Sequence, residues 1–164
     1  MPQLAELLAR WRLPTVAVAS LGVLPHVTLL YPWRPAPLQS ADVTQVAAAV
    51  DGTTPFTLIF RRVERFPAAL YLPPEPDDVV RTLIRELVEA FPETPPYAGQ
   101  FGSDPIPHLT IAAATTEAEL DRLQEEARTV LEPLFPLSVY VHALTIEEEG
   151  SDGIWHAIST IELG

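Results

Sequence analysis

Two histidines, each two residues ahead of a threonine, stand in matched surroundings: Leu24-Pro25-His26-Val27-Thr28-Leu29 and Ile106-Pro107-His108-Leu109-Thr110-Ile111. A free imidazole titrates near pH ~6.5, so of two rings at one pH, one can be neutral while the other is protonated. That pairing suits phosphodiester chemistry. The neutral ring takes a proton from the attacking water or hydroxyl, the protonated ring gives one to the leaving oxygen, and the roles exchange in reverse. A threonine hydroxyl beside each ring can donate to a non-bridging phosphate oxygen as negative charge builds there. A bare H-x-[ST] is common by chance, and it is the longer agreement, written twice, that carries weight. The catalytic candidates are therefore His26, His108, Thr28 and Thr110. A metal site is not expected, because the four histidines show neither H-x-x-x-H nor H-E-x-x-H spacing and there is no cysteine. No cofactor is implied.

Side chains alternate along a strand, so a strand over His26–Tyr31 would put His26 and Thr28 on one face and Val27 and Leu29 on the other. The strand expected over His108–Ala113 pairs His108 with Thr110 in the same way. The remaining pattern supplies the supports. Leu4, Leu7, Leu8 and Trp11 have helical spacing over 2–12, and Thr15–Ala19 suits a short strand. A helix capped by Ser40 or Asp42 runs to about Val50, followed by strands over 56–64 and 69–72 and a rigid Pro73–Pro76 linker. Asp77 opens an amphipathic helix with Val80, Leu83, Ile84, Leu87 and Phe91 on one face. A Pro/Gly loop follows over 92–107, and Thr116, with Glu119 as its capping-box partner, opens a helix to about Leu131. Strands over 137–148 and 154–163 close the chain as a hairpin around Gly150–Gly153.

The two halves repeat this order: histidine strand, capped helix, proline, long strand, turn, strand. After Pro55 and Pro136 the stretches Phe56-Thr57-Leu58 and Leu137-Ser138-Val139 agree in type and parity. The expectation is an α+β fold, a single bilobal domain of two pseudo-symmetric lobes with antiparallel sheets, arising by internal duplication. The lobes would cover about 14–76 and 105–164, joined by helix 77–91 and loop 92–107. The two motifs would face each other across a central cleft. The repeat also places Arg61 and His142 at the same offset, where they are candidates to contact phosphate or base. Tyr97 and Phe101 in the Pro/Gly loop are candidates to stack on a base. His156 and the run Glu147-Glu148-Glu149 read as surface.

Composition narrows the partners. Of 164 residues 48% are hydrophobic, which is compatible with a substantial core. The net charge is −12, and all ten basic residues are arginine. Binding long nucleic acid by its backbone needs a basic face, so long RNA is not the expected partner. A small nucleotide or an RNA end needs only a few donors. No apolar run spans a membrane and no cleavable signal pattern opens the chain, so a cytoplasmic, monomeric protein is expected.

At the two motifs the sequence resembles the two-histidine phosphoesterase superfamily, in particular its bacterial 2′-5′ RNA ligase-like branch. That family's hallmark is an H-x-[ST]-apolar motif on equivalent strands of two lobes, here His26-Val27-Thr28-Leu29 and His108-Leu109-Thr110-Ile111. The resemblance extends through R-F-P-A-A-L-Y-L, F-P-E-T-P-P-Y-A-G-Q-F and the final hairpin, most of the chain. It implies metal-free chemistry on a 2′,3′-cyclic phosphate or a 2′-5′ phosphodiester of a nucleotide or RNA end. A module that keeps the cleft only to bind a nucleotide or a protein is the alternative.

Overall fold

The computed structural model describes Leu8, residues 21–34 and residues 37–164. The helix expected over 2–12 and the strand over 15–19 lie outside the described residues, apart from Leu8, which is helical and buried.

Three helices and eight strands follow among the described residues: α1 (Ser40–Ala49), β1 (Phe56–Phe60), β2 (Glu64–Phe66), β3 (Ala69–Leu72), β4 (Pro74–Glu75), α2 (Asp78–Ala90), β5 (Leu109–Ala113), α3 (Glu117–Val130), β6 (Leu137–Val141), β7 (Ala143–Glu149) and β8 (Trp155–Glu162). The strands make three small sheets, ordered β4-β1-β6, β2-β3-β5 and β7-β8. The fold is α+β, as expected.

The helices form where apolar spacing predicts them, but Asp77, at the N-cap of α2, makes no side-chain capping bond and instead pairs with Arg81. In α2, Val80, Leu83, Ile84 and Leu87 are the buried residues, the face the spacing selects. The Thr116 hydroxyl accepts the Glu119 backbone N–H at the start of α3. At α1 the cap is Gln39, not Ser40 or Asp42. Its side chain and that of Asp42 satisfy each other's backbone N–H groups reciprocally.

The strands depart further from expectation. The stretch 26–30 is irregular and not a strand. It lies between Pro25 and Pro32, which have no N–H to give a ladder. The strand expected over 56–64 stops at Phe60, and a separate β2 turns into β3 (Glu64↔Tyr71, Phe66↔Ala69). Pro74 and Glu75 are not a free linker but pair with Phe60 and Ile59 of β1. The long C-terminal strand is broken at His142 into β6, beside β1, and β7, paired with β8.

The chain forms two compact units, each drawing on both halves of the sequence. The first contains Thr57–Pro76 and His108–Val139 with residues 21–27; the second contains Thr28–Phe56, Asp77–Pro107 and Tyr140–Gly164. This differs from contiguous lobes over 14–76 and 105–164, with helix 77–91 between them. Strand pairing is the reason: β3 takes β5 and β1 takes β6, partners far away in sequence. In the first unit α3 packs on β3 and β5, and Leu70, Leu72, Leu109, Ile111, Leu120 and Leu123 are all buried. In the second, Val46 and Val50 of α1 meet Leu83, Leu87 and Phe91 from α2 and its end, with Ile146 and Leu163 of the final hairpin.

Candidate active site

The two copies of the motif agree in exposure at the first apolar residue, the proline and the threonine, while His26 is exposed and His108 half-buried. Leu24 and Ile106 are 57% and 51% exposed, respectively. The prolines that follow, Pro25 and Pro107, are buried, and each threonine is half-buried. A large apolar side chain left in water beside a buried proline, twice, follows neither from strand propensity nor from core packing.

At the first copy the His26 ring donates through Nδ1 to the Leu24 carbonyl at 2.7 Å. A carbonyl can only accept, so the neutral ring carries its proton on Nδ1 and its lone pair on Nε2. The contact spans two residues, and therefore the loop itself orients the ring. Thr28 lies in the same irregular stretch, which the Tyr97 backbone N–H ties down by donating to the Tyr31 carbonyl at 2.6 Å.

At the second copy a strand does the positioning. His108 immediately precedes β5, where Leu109 and Ile111 are buried while His108 and Thr110 are half-buried, the alternation expected from parity. The β3–β5 register pairs Tyr71 with Thr110 and then shifts by one residue between Leu70 and Tyr71. Such a bulge re-aims side chains beside it. Phe66 and Tyr71 stack at 4.1 Å, and the His108 ring stands edge-on to both, with centroids 5.1 and 5.8 Å away. The Tyr71 hydroxyl donates to Glu64 Oε2 at 2.8 Å, and Arg62 donates to Glu64 Oε1 at 2.7 Å. Burial, then the bond to Glu64, pushes the Tyr71 phenol up to about 12. The same bond, with Arg62, holds the Glu64 carboxyl below the usual range. His108 is thus held by packing against a hydrogen-bonded hairpin. Sequence reasoning missed Phe66, Tyr71 and Glu64 in this role. The signal available was R-F-P-A-A-L-Y-L, whose turn brings the two aromatic residues onto one face.

His26, His108 and Thr110 belong to the first unit, Thr28 to the second. Arg61 follows the end of β1 and pairs with Glu75 at 3.0 Å. His142, at the break between β6 and β7, lies 3.2 Å from Glu162 and beside the Tyr140 ring. Both are exposed, so these pairs are weak enough to exchange for a ligand. Tyr97 is half-buried, and its ring meets Phe101 edge-on at 5.4 Å. Phe101 is 67% exposed and keeps an open face. Glu148, read as surface from sequence, accepts the Leu38 backbone N–H at 2.6 Å and so ties β7 to the segment before α1. Among the described residues no group of three or more His, Asp or Glu side chains converges where a metal ion could sit.

The family model described as the 2′-5′ RNA ligase superfamily matches residues 2–153 of the chain. A comparison with curated proteins finds no match.

Proposed function

The chain belongs to the 2′-5′ RNA ligase superfamily of two-histidine phosphoesterases, and from that premise we propose that it acts, without a metal, on the 2′,3′-cyclic phosphate or 2′-5′ phosphodiester of a nucleotide or RNA end. The observation that carries this reading is the Pro-His-apolar-Thr motif written twice, in both copies with an exposed apolar residue, a buried proline and a half-buried threonine. In hydrolysis of a cyclic phosphate, one imidazole removes the proton of a water whose oxygen attacks phosphorus. One ring P–O bond breaks, and the second, protonated imidazole gives its proton to the leaving ribose oxygen. The product is a phosphomonoester and the two rings have exchanged protonation states. With Nδ1 held by the Leu24 carbonyl, His26 uses Nε2 for the transfer. Thr28 and Thr110 donate to the non-bridging oxygens. Arg61, His142 and Phe101 remain candidates to contact the phosphate or base.

The test is a substrate panel: cyclic mononucleotides, a short RNA with a 2′,3′-cyclic end, and a 2′-5′-linked dinucleotide. Turnover should persist in EDTA and show a bell-shaped pH profile. His26→Ala and His108→Ala should each remove most of it, and Thr28→Ala or Thr110→Ala should cost about 2.7–4 kcal/mol of transition-state stabilisation. Binding without turnover across the panel would identify a nucleotide-binding module instead. Activity lost to chelator and restored by zinc would overturn the metal-free mechanism.

A further inference from the structure

We propose that Leu24 and Ile106 are substrate-binding residues, each offering its apolar side chain to the nucleoside whose phosphate the neighbouring histidine serves. The inference rests on the phosphoesterase reading above. A single exposed aliphatic residue is ordinary on a protein surface. These two, however, each stand two residues ahead of a motif histidine. Leu24 is 57% exposed between the buried Val23 and the buried Pro25. The His26 ring is exposed as well and donates through Nδ1 to the Leu24 carbonyl at 2.7 Å. One residue thus orients the imidazole through its backbone and leaves its hydrocarbon in water. In the second copy exposure alternates along the chain. Ile106 is exposed, Pro107 buried, His108 half-buried, Leu109 buried, Thr110 half-buried and Ile111 buried. Ile106 therefore continues the face that carries His108 and Thr110.

The charge of the chain says why such contacts are needed. A net charge of −12 repels a phosphate, and Arg61, the candidate cation, is already paired with Glu75 at 3.0 Å. Electrostatics give a small anionic substrate little, which leaves the nucleoside as the better source of affinity. Small-molecule sites are mostly apolar walls with a few placed polar groups. Covering hydrocarbon that the free protein leaves in water is favourable in proportion to the area removed. A base or sugar laid over Leu24 or Ile106 does this, and it also displaces water from beside the motif.

Leu24→Ser and Ile106→Ser shorten side chains that already stand in water, and the backbone carbonyl that holds His26 is kept. Methyl NMR signals of Leu24 and Ile106 report binding without any turnover. On titration with adenosine 2′-monophosphate they should shift together with the ring signals of His26 and His108. Against adenosine 2′,3′-cyclic phosphate, KM should rise roughly tenfold in each variant with kcat little changed, the mark of uniform binding lost. Glycerol 1,2-cyclic phosphate keeps the cyclic ester but has no nucleoside, and its KM should stay within about twofold of the wild type. Leu24→Met and Ile106→Leu should keep the wild-type KM for the nucleotide. Methyl signals that stay still while the histidine signals move would overturn the proposal. So would a KM that rises equally for both substrates, or a loss confined to kcat. Methyl shifts in a wild type that turns over nothing in the panel would sink the phosphoesterase reading and leave the nucleotide contact standing.

Discussion

His26 and His108 occupy the same place in their motifs yet are oriented by different means. One ring is held by a carbonyl two residues back, the other by two stacked aromatic rings brought from a neighbouring hairpin. The second arrangement makes a testable pH signature. Tyr71 is 4% exposed and holds its proton up to about 12, whereas an unfolded tyrosine releases it near pH ~10. The native state therefore binds the proton more tightly. That contribution is fully present below pH ~10 and is lost as pH rises through about 12, on the order of 2 kcal/mol in all. Urea unfolding as a function of pH should show the wild type losing stability more steeply than Tyr71→Phe across this window, the two curves converging at its upper end. Parallel curves would mean that Tyr71 is not the group responsible.

Among the elements, α2 is the most legible and carries the most packing. Its buried face meets α1, and Phe91 at its end takes the Trp33 ring edge-on at 5.1 Å. Leu83 is 1% exposed in this cluster, so Leu83→Ala should destabilise the protein by about 2–5 kcal/mol, lost transfer energy plus an unfilled cavity. Chemical denaturation measures it, and a loss well under ~1 kcal/mol would place Leu83 outside the core. The strands behave differently. β1 and β6 keep the parity read from sequence, with Thr57 and Ser138 exposed and Leu58 and Val139 buried. Their lengths and partners, however, were not what alternation alone suggested.

For the molecule as a whole, the charge of −12 governs what it can hold. The described arginines do little to offset it. Arg34, Arg61, Arg62, Arg65, Arg81, Arg122 and Arg128 each lie beside at least one carboxylate, which leaves few cations to release counterions from a polyanion. Affinity for a long single-stranded RNA should therefore be weak at physiological salt, with a shallow dependence of log Kd on log salt. Fluorescence anisotropy across a salt series checks this. Tight binding with a steep slope would reveal a basic face that the sequence does not display.

What the sequence determined by itself is what depends on neighbours in the chain. The two motifs, the amphipathic face of α2, the Thr116 cap and the alternation through His108, Leu109, Thr110 and Ile111 are all set by spacing of a few residues, and each was legible before any fold was known. Tertiary structure alone decided which partner each segment takes. Nothing local says that β3 pairs with β5, or that Phe66 and Tyr71 close on His108. Nor does local spacing say that the Tyr97 N–H reaches back to the Tyr31 carbonyl. Alternation also overreached at 26–30, where the pattern of a strand is present but the flanking prolines withhold backbone donors. The periodicity of side chains is a property of one segment. Hydrogen-bond partners and ring contacts are properties of two, and they exist only once the chain has met the cost of bringing distant residues together.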